Sequence, residues 1–144
     1  MDKTWLTVVA IAVALFAVVA HAAPPVAHVP ILETEAAEAL LDLRAVTDAG
    51  LSYSDFAHYL PSAVIAVDRM QRHGAVQPDL SSALAHYLAS AIAWQHEIES
   101  AAAVDHEDPM YLRINVAARD KHLAEMRAEL SAARDALAHY LPKT

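Results

Sequence analysis

Residues 109–140 read PMYLRINVAARDKHLAEMRAELSAARDALAHY. In this stretch Leu112, Val116, Arg119, Leu123, Met126, Leu130, Ala133, Leu137 and Tyr140 recur at alternating steps of four and three. That rhythm lays them along one stripe of an α-helix. Asp108-Pro109 sets an N-cap before a proline at the first helical position, where a missing N–H goes unnoticed. The spacing predicts a helix over 109–140, with Arg119 as the one charge on its seam.

The same rhythm recurs upstream. Leu80, Leu84, Tyr87, Ala91, Trp94 and Ile98, flanked by Leu88 and Ile92, predict a helix over 80–103 with Asp79 as its N-cap. Phe56, Leu60, Ala63, Val67 and Met70 predict one over 53–73. Ser52 and Asp55 open it at capping-box spacing, Gly74 closes it, and Pro61 should kink it, since proline offers no N–H to the carbonyl of Ala57. Ala36, Leu40, Leu43 and Val46 predict a helix over 35–49, with Thr34 as N-cap and Gly50 as the C′ residue. No segment alternates with period two, so no strand is expected.

These elements predict an all-α antiparallel four-helix bundle over residues 34–144, preceded by a signal peptide (1–22) and a Pro-rich extended linker (23–33). The helix lengths match poorly, roughly 48 Å for the fourth and roughly 22 Å for the first. The fourth helix must overhang, break near Asn115–Asp120, or be covered by a second copy.

The N-terminus carries charge at Asp2 and Lys3 and none from Trp5 to Ala20. An apolar run of about 14–16 residues suits a signal sequence and is short for a bilayer span. Ala20-His21-Ala22 places small residues at −3 and −1, so cleavage after Ala22 is expected, with cleavage after Ala20 as the alternative and a retained anchor as the competing reading. Asp2 and Lys3 leave together, so the net charge stays at −8. An acidic surface disfavours nucleic acid and anionic lipid. The chain has no Cys, which excludes disulfides, thiolate metal sites and c-type haem attachment.

Histidine is the unusual feature, at 28, 58, 73, 86, 96, 106, 122 and 139 beyond the signal sequence. His-Glu-x-x-His and Glu-x-x-His are absent; Asp55-x-x-His58 is the nearest approach to the latter. Asp105-His106-Glu107-Asp108 gathers potential ligands in one turn, but consecutive residues cannot all face one ion. His139, near the end of the last helix, is similar in position to the haem ligand of exported four-helix b-type cytochromes. Those proteins pair it with a Met in the first helix, whereas Met70, Met110 and Met126 all lie elsewhere here. Tyr53, Tyr59, Tyr87, Trp94, Tyr111 and Tyr140 read as core and boundary packing. Ala-His-Tyr-Leu occurs at 57–60, 85–88 and 138–141, which places His58 and His86 beside expected core tyrosines at helix–helix boundaries. No nucleophile motif is present, and two glycines cannot build a phosphate-cradling loop, so no enzymatic activity and no cofactor are assigned.

Gly50-Leu51-Ser52-Tyr53-Ser54-Asp55-Phe56 resembles a stretch in small exported bacterial helical proteins of unknown function. The resemblance spans these seven residues and implies a helical fold outside the cytoplasm, with no activity attached. The reading is of an exported, periplasmic or secreted bundle with an interaction or accessory role, partnered by another protein or by itself as a homodimer. A haem- or metal-binding bundle is the alternative. Intact-mass measurement of exported protein should place the mature N-terminus at Ala23, or failing that at His21; recovery only from membranes with Met1 retained would contradict it.

Overall fold

The computed structural model describes residues 29–50, 52–102 and 109–141. The expected signal peptide (1–22), most of the expected linker (23–28) and the Asp105–Asp108 cluster lie outside them. Four helices, α1 (Val29–Asp48), α2 (Tyr53–Arg72), α3 (Pro78–Ala102) and α4 (Pro109–Ala136), pack against one another, and a short 3-10 turn follows at Ala138–Tyr140. There is no strand among the described residues. The fold is an all-α helical bundle. The closest pairs are α1 with α2 and α3 with α4; α3 also packs on α2 and α1.

α1 begins earlier than its sequence suggests. Residues 29–33, read above as the end of the linker, are helical. Pro30 lies in the first turn, where its missing N–H breaks no hydrogen bond and its φ already suits a helix. Leu32 is buried in the core, which repays the extension. Thr34 is therefore no cap; its hydroxyl donates to the Pro30 carbonyl one turn back, at 2.9 Å. α3 likewise starts at Pro78, so Asp79 lies in its first turn and Gln77 supplies the first carbonyl, accepting from Ser81 N–H at 3.1 Å.

The ends of α2 follow local chemistry closely. The Ser52 side chain accepts from Asp55 N–H at 3.3 Å, and Asp55 Oδ2 accepts from Ser52 N–H at 3.1 Å, a complete capping box. The Ser52 hydroxyl also donates to Asp55 Oδ2 at 2.6 Å, and this bond first, then the one from Ser52 N–H, holds the Asp55 carboxyl below its ordinary value. At the other end Gly74 takes φ 83°, its N–H reaching Gln71 O and that of Ala75 reaching Met70 O. This is a Schellman closure, with Ala75 and Met70 both buried at its apolar contact. Between these ends the helix continues through the exposed Pro61.

The core is the set of predicted stripes, up to a boundary. Ala36, Leu40, Leu43 and Val46 of α1 and Phe56, Leu60, Ala63, Val67 and Met70 of α2 are all buried. So are Leu80, Leu84, Tyr87, Leu88 and Ala91 of α3, and Met126, Leu130, Ala133 and Leu137 at the other end of the fourth stripe. Trp94 marks the edge: it is half-buried, against Tyr53 (ring centres 5.5 Å) and Phe56 (5.7 Å). Beyond it the same stripes emerge into solvent, with Ile98 at 41% and Val116 at 38% exposure. α1 and α2 have 20 residues each against 25 and 28 for α3 and α4. At about 1.5 Å per residue the shorter pair spans roughly 30 Å and the longer roughly 37 and 42 Å. α4 does not break at 115–120; it is one helix, and Arg119 on its seam reaches Glu97 of α3 at 3.2 Å.

This boundary has an energetic consequence. Leu84→Ala should cost about 2–5 kcal/mol, as a truncated, fully buried leucine does. Ile98→Ala should stay within about 0.5 kcal/mol of wild type, as exposed positions do. Chemical-denaturation midpoints check both; equal losses would place the boundary wrongly.

Candidate functional site

Two groups of polar side chains stand out. The first sits inside the bundle around Tyr87. This tyrosine is fully buried, and its hydroxyl has no protein partner. Asp48, the last residue of α1, accepts from Arg44 Nε at 3.3 Å and pairs with Arg134 of α4. Arg134 Nε is buried without a partner in the same surroundings. Burial first, and then the Asp48 carboxylate, push the Tyr87 phenol up to about 12, with Arg44 and Arg134 acting the other way. The Asp48 carboxylate thus joins α1 to α4, while the phenol is held neutral beside it.

The second group runs along the α3–α4 pair. His86 Nδ1 lies 2.7 Å from Glu129 Oε2. His122 Nδ1 donates to Glu125 Oε2 at 3.1 Å, and Lys121 approaches the same carboxylate at 3.6 Å. The bond from His122 is the first cause holding the Glu125 carboxyl below its ordinary value. The ring of His96, on α3, lies 5.1 Å centre to centre from that of His122. At the far end His139 Nε2 lies 3.4 Å from Asp79 Oδ2.

Measured against the sequence, the histidines divide. His86 does sit between two helices. His58 does not: it is exposed and contacts the ring of Tyr59, which is itself exposed. The three Ala-His-Tyr-Leu copies therefore place their tyrosines differently, exposed at 59, buried at 87 and intermediate at 140. In the second copy the tyrosine and leucine both enter the core, whereas in the first only Leu60 does and His58 and Tyr59 stand outside. His139 is engaged with Asp79, and α1, even with its added turn, contains no Met. Met70 and Met126 are both core residues. Asp105–Asp108 lies outside the described residues. Among the described residues no group of three or more His, Asp or Glu side chains converges as a metal centre.

Two features escaped the sequence reading. Asp48–Arg134 joins residues far apart in the chain, and no local pattern announces it. His96 and His122 are each thirteen residues from Pro109, and that equal spacing about the turn is the one signal that could have paired them. No family model, curated protein or solved structure matches the chain.

The Tyr87 phenol has a pH signature. An unfolded tyrosine ionises near 10 and folded Tyr87 near about 12, so burial of the neutral phenol stabilises the fold below pH 10. That stabilisation should fall as pH rises from 10 to 12, by roughly 2 kcal/mol. Tyr53 and Tyr140 are also raised, chiefly by burial, and Tyr87→Phe leaves both in place. Urea melts at pH 9 and pH 11.5 should show a steeper loss for wild type than for Tyr87→Phe; equal slopes would mean the phenol is solvated.

Proposed function

We propose that this chain is an exported, periplasmic or secreted helical protein with an interaction role, working by self-association or by docking a protein partner rather than by catalysis. Its layout is a cleaved signal peptide, a short Pro-rich linker and an antiparallel bundle. The antiparallel order draws support from Asp79–His139, His86–Glu129 and Glu97–Arg119, whose numbers rise along α3 as they fall along α4. Export draws support from the charge-free run of residues 5–20 and the Ala20-x-Ala22 site.

The observation that carries the interaction reading is the end of α3–α4 that α1 and α2, among the described residues, leave uncovered. Ile98 and Val116 continue the stripes that elsewhere form the core, and they stand in solvent because α1 and α2 are shorter. A second copy laying its own uncovered end there, about a two-fold axis, brings self-complementary apolar stripes together. The acidic remainder of the surface keeps other faces apart.

Sedimentation velocity from low to high micromolar concentration should show a shift from one to two copies. Ile98→Asp combined with Val116→Asp should hold the protein monomeric, and should leave its denaturation midpoint unmoved at low micromolar concentration, where the wild type is itself monomeric. A wild-type protein that stays monomeric at high micromolar concentration would sink the self-association reading.

A further inference from the structure

α3 and α4 bring two imidazoles together just where α1 and α2 stop covering them. His96 is exposed and the His122 side chain is 22% exposed, so neither ring fills the core. Their centres are 5.1 Å apart and their planes are inclined at 63°. Two imidazoles bound to one tetrahedral ion have metal–nitrogen bonds of about 2.0–2.1 Å; adding about 1 Å to each ring centre puts the centres about 5 Å apart. The observed separation matches that distance, which it shares with ordinary edge-to-face ring contacts.

The surroundings point the same way. The hydrogen bond from His122 Nδ1 to Glu125 fixes the tautomer and leaves Nε2 with its lone pair, the arrangement found behind metal-binding histidines. Arg119 is occupied by Glu97 and Lys121 by Glu125, so the nearby cations are neutralised. The net charge of −8 favours a cation. Imidazole nitrogens select zinc, copper or nickel over magnesium or calcium.

We propose that His96 and His122 form a two-histidine site for a divalent transition cation of the zinc class, with water in the remaining positions. The ion cross-links the uncovered end of α3 to α4, in a chain that has no disulfide to do so. Both ligands come from one chain, so the site does not rest on self-association.

The test is calorimetric titration of zinc chloride alone into full-length, untagged protein freed of metal with a chelator, with sedimentation followed in parallel. One zinc per chain is expected, together with a rise in Tm. His96→Gln and His122→Gln should each weaken binding at least tenfold, and Glu125→Gln less than either. His73→Gln, at the exposed end of α2, should leave it unchanged. Histidine ring NMR on wild type reads the ligands directly, whatever the variants do to folding, and zinc should shift His96 and His122. Zinc binding that survives in the double variant, a stoichiometry of one per two chains, shifts confined to other histidines, or no saturable binding would each overturn the proposal.

Discussion

α3 is the helix on which the rest of the structure leans, because it packs against all three others. A helix buried on so many sides must present small side chains where backbones come close and large ones where gaps open. α3 does both: Ala83, Ser90, Ala91 and Ala93 are buried beside Leu80, Leu84, Tyr87 and Leu88. Ser90, the one buried serine of the core among the described residues, donates its hydroxyl to the Tyr87 carbonyl at 2.8 Å and so adds no unmet polar group. With no disulfide, the stability of the bundle rests on this packing.

The same helix carries the tension in the design. Tyr87 fills the centre with an aromatic ring, tilted against Phe56 at 6.2 Å, yet places an unpartnered hydroxyl there. An unmet buried hydroxyl costs about 1–3 kcal/mol. Nearby Asp48, partly exposed like Arg44 and Arg134, pairs with both and ties the end of α1 to α4, a pair of helices otherwise in slight contact, while Arg134 Nε stays unpaired. Polar linkage and apolar filling thus meet at one residue. Farther along α3 the apolar cover ends at Trp94, and histidines and ion pairs take over the α3–α4 seam. The change from core to polar seam follows from the lengths of α1 and α2.

Much of the fold was legible because helix signals are local. The Ser52–Asp55 box, Gly50 and Gly74 with positive φ, and the stripes of α1 and α2 depend on residues within one or two turns of each other. The start of α1 was less legible: three prolines in 24–30 read as a linker, and only the burial of Leu32 makes the first turn worthwhile. The α3 and α4 stripes were legible as stripes but not as core. Ile98 and Val116 have the same spacing as Leu84 and Leu130 and differ only in what stands opposite. The candidate sites were hardly legible. His58 and His86 sit in identical tetrapeptides, yet the first is exposed beside Tyr59 and the second is bound to Glu129 of α4.

By itself the sequence determined the number and period of the helices, the caps of α2, and the buried faces of α1 and α2, since each is settled by spacing and by hydrogen bonds within a turn. It also determined that the chain folds without disulfides and under a net negative charge. Tertiary structure alone decided where the core stops, which tyrosine is sealed in, that Asp48 meets Arg134, and that His96 stands beside His122. Those outcomes depend on how far one helix reaches along another, a distance no single helix encodes. Identical local patterns become core or surface according to the length of their neighbours.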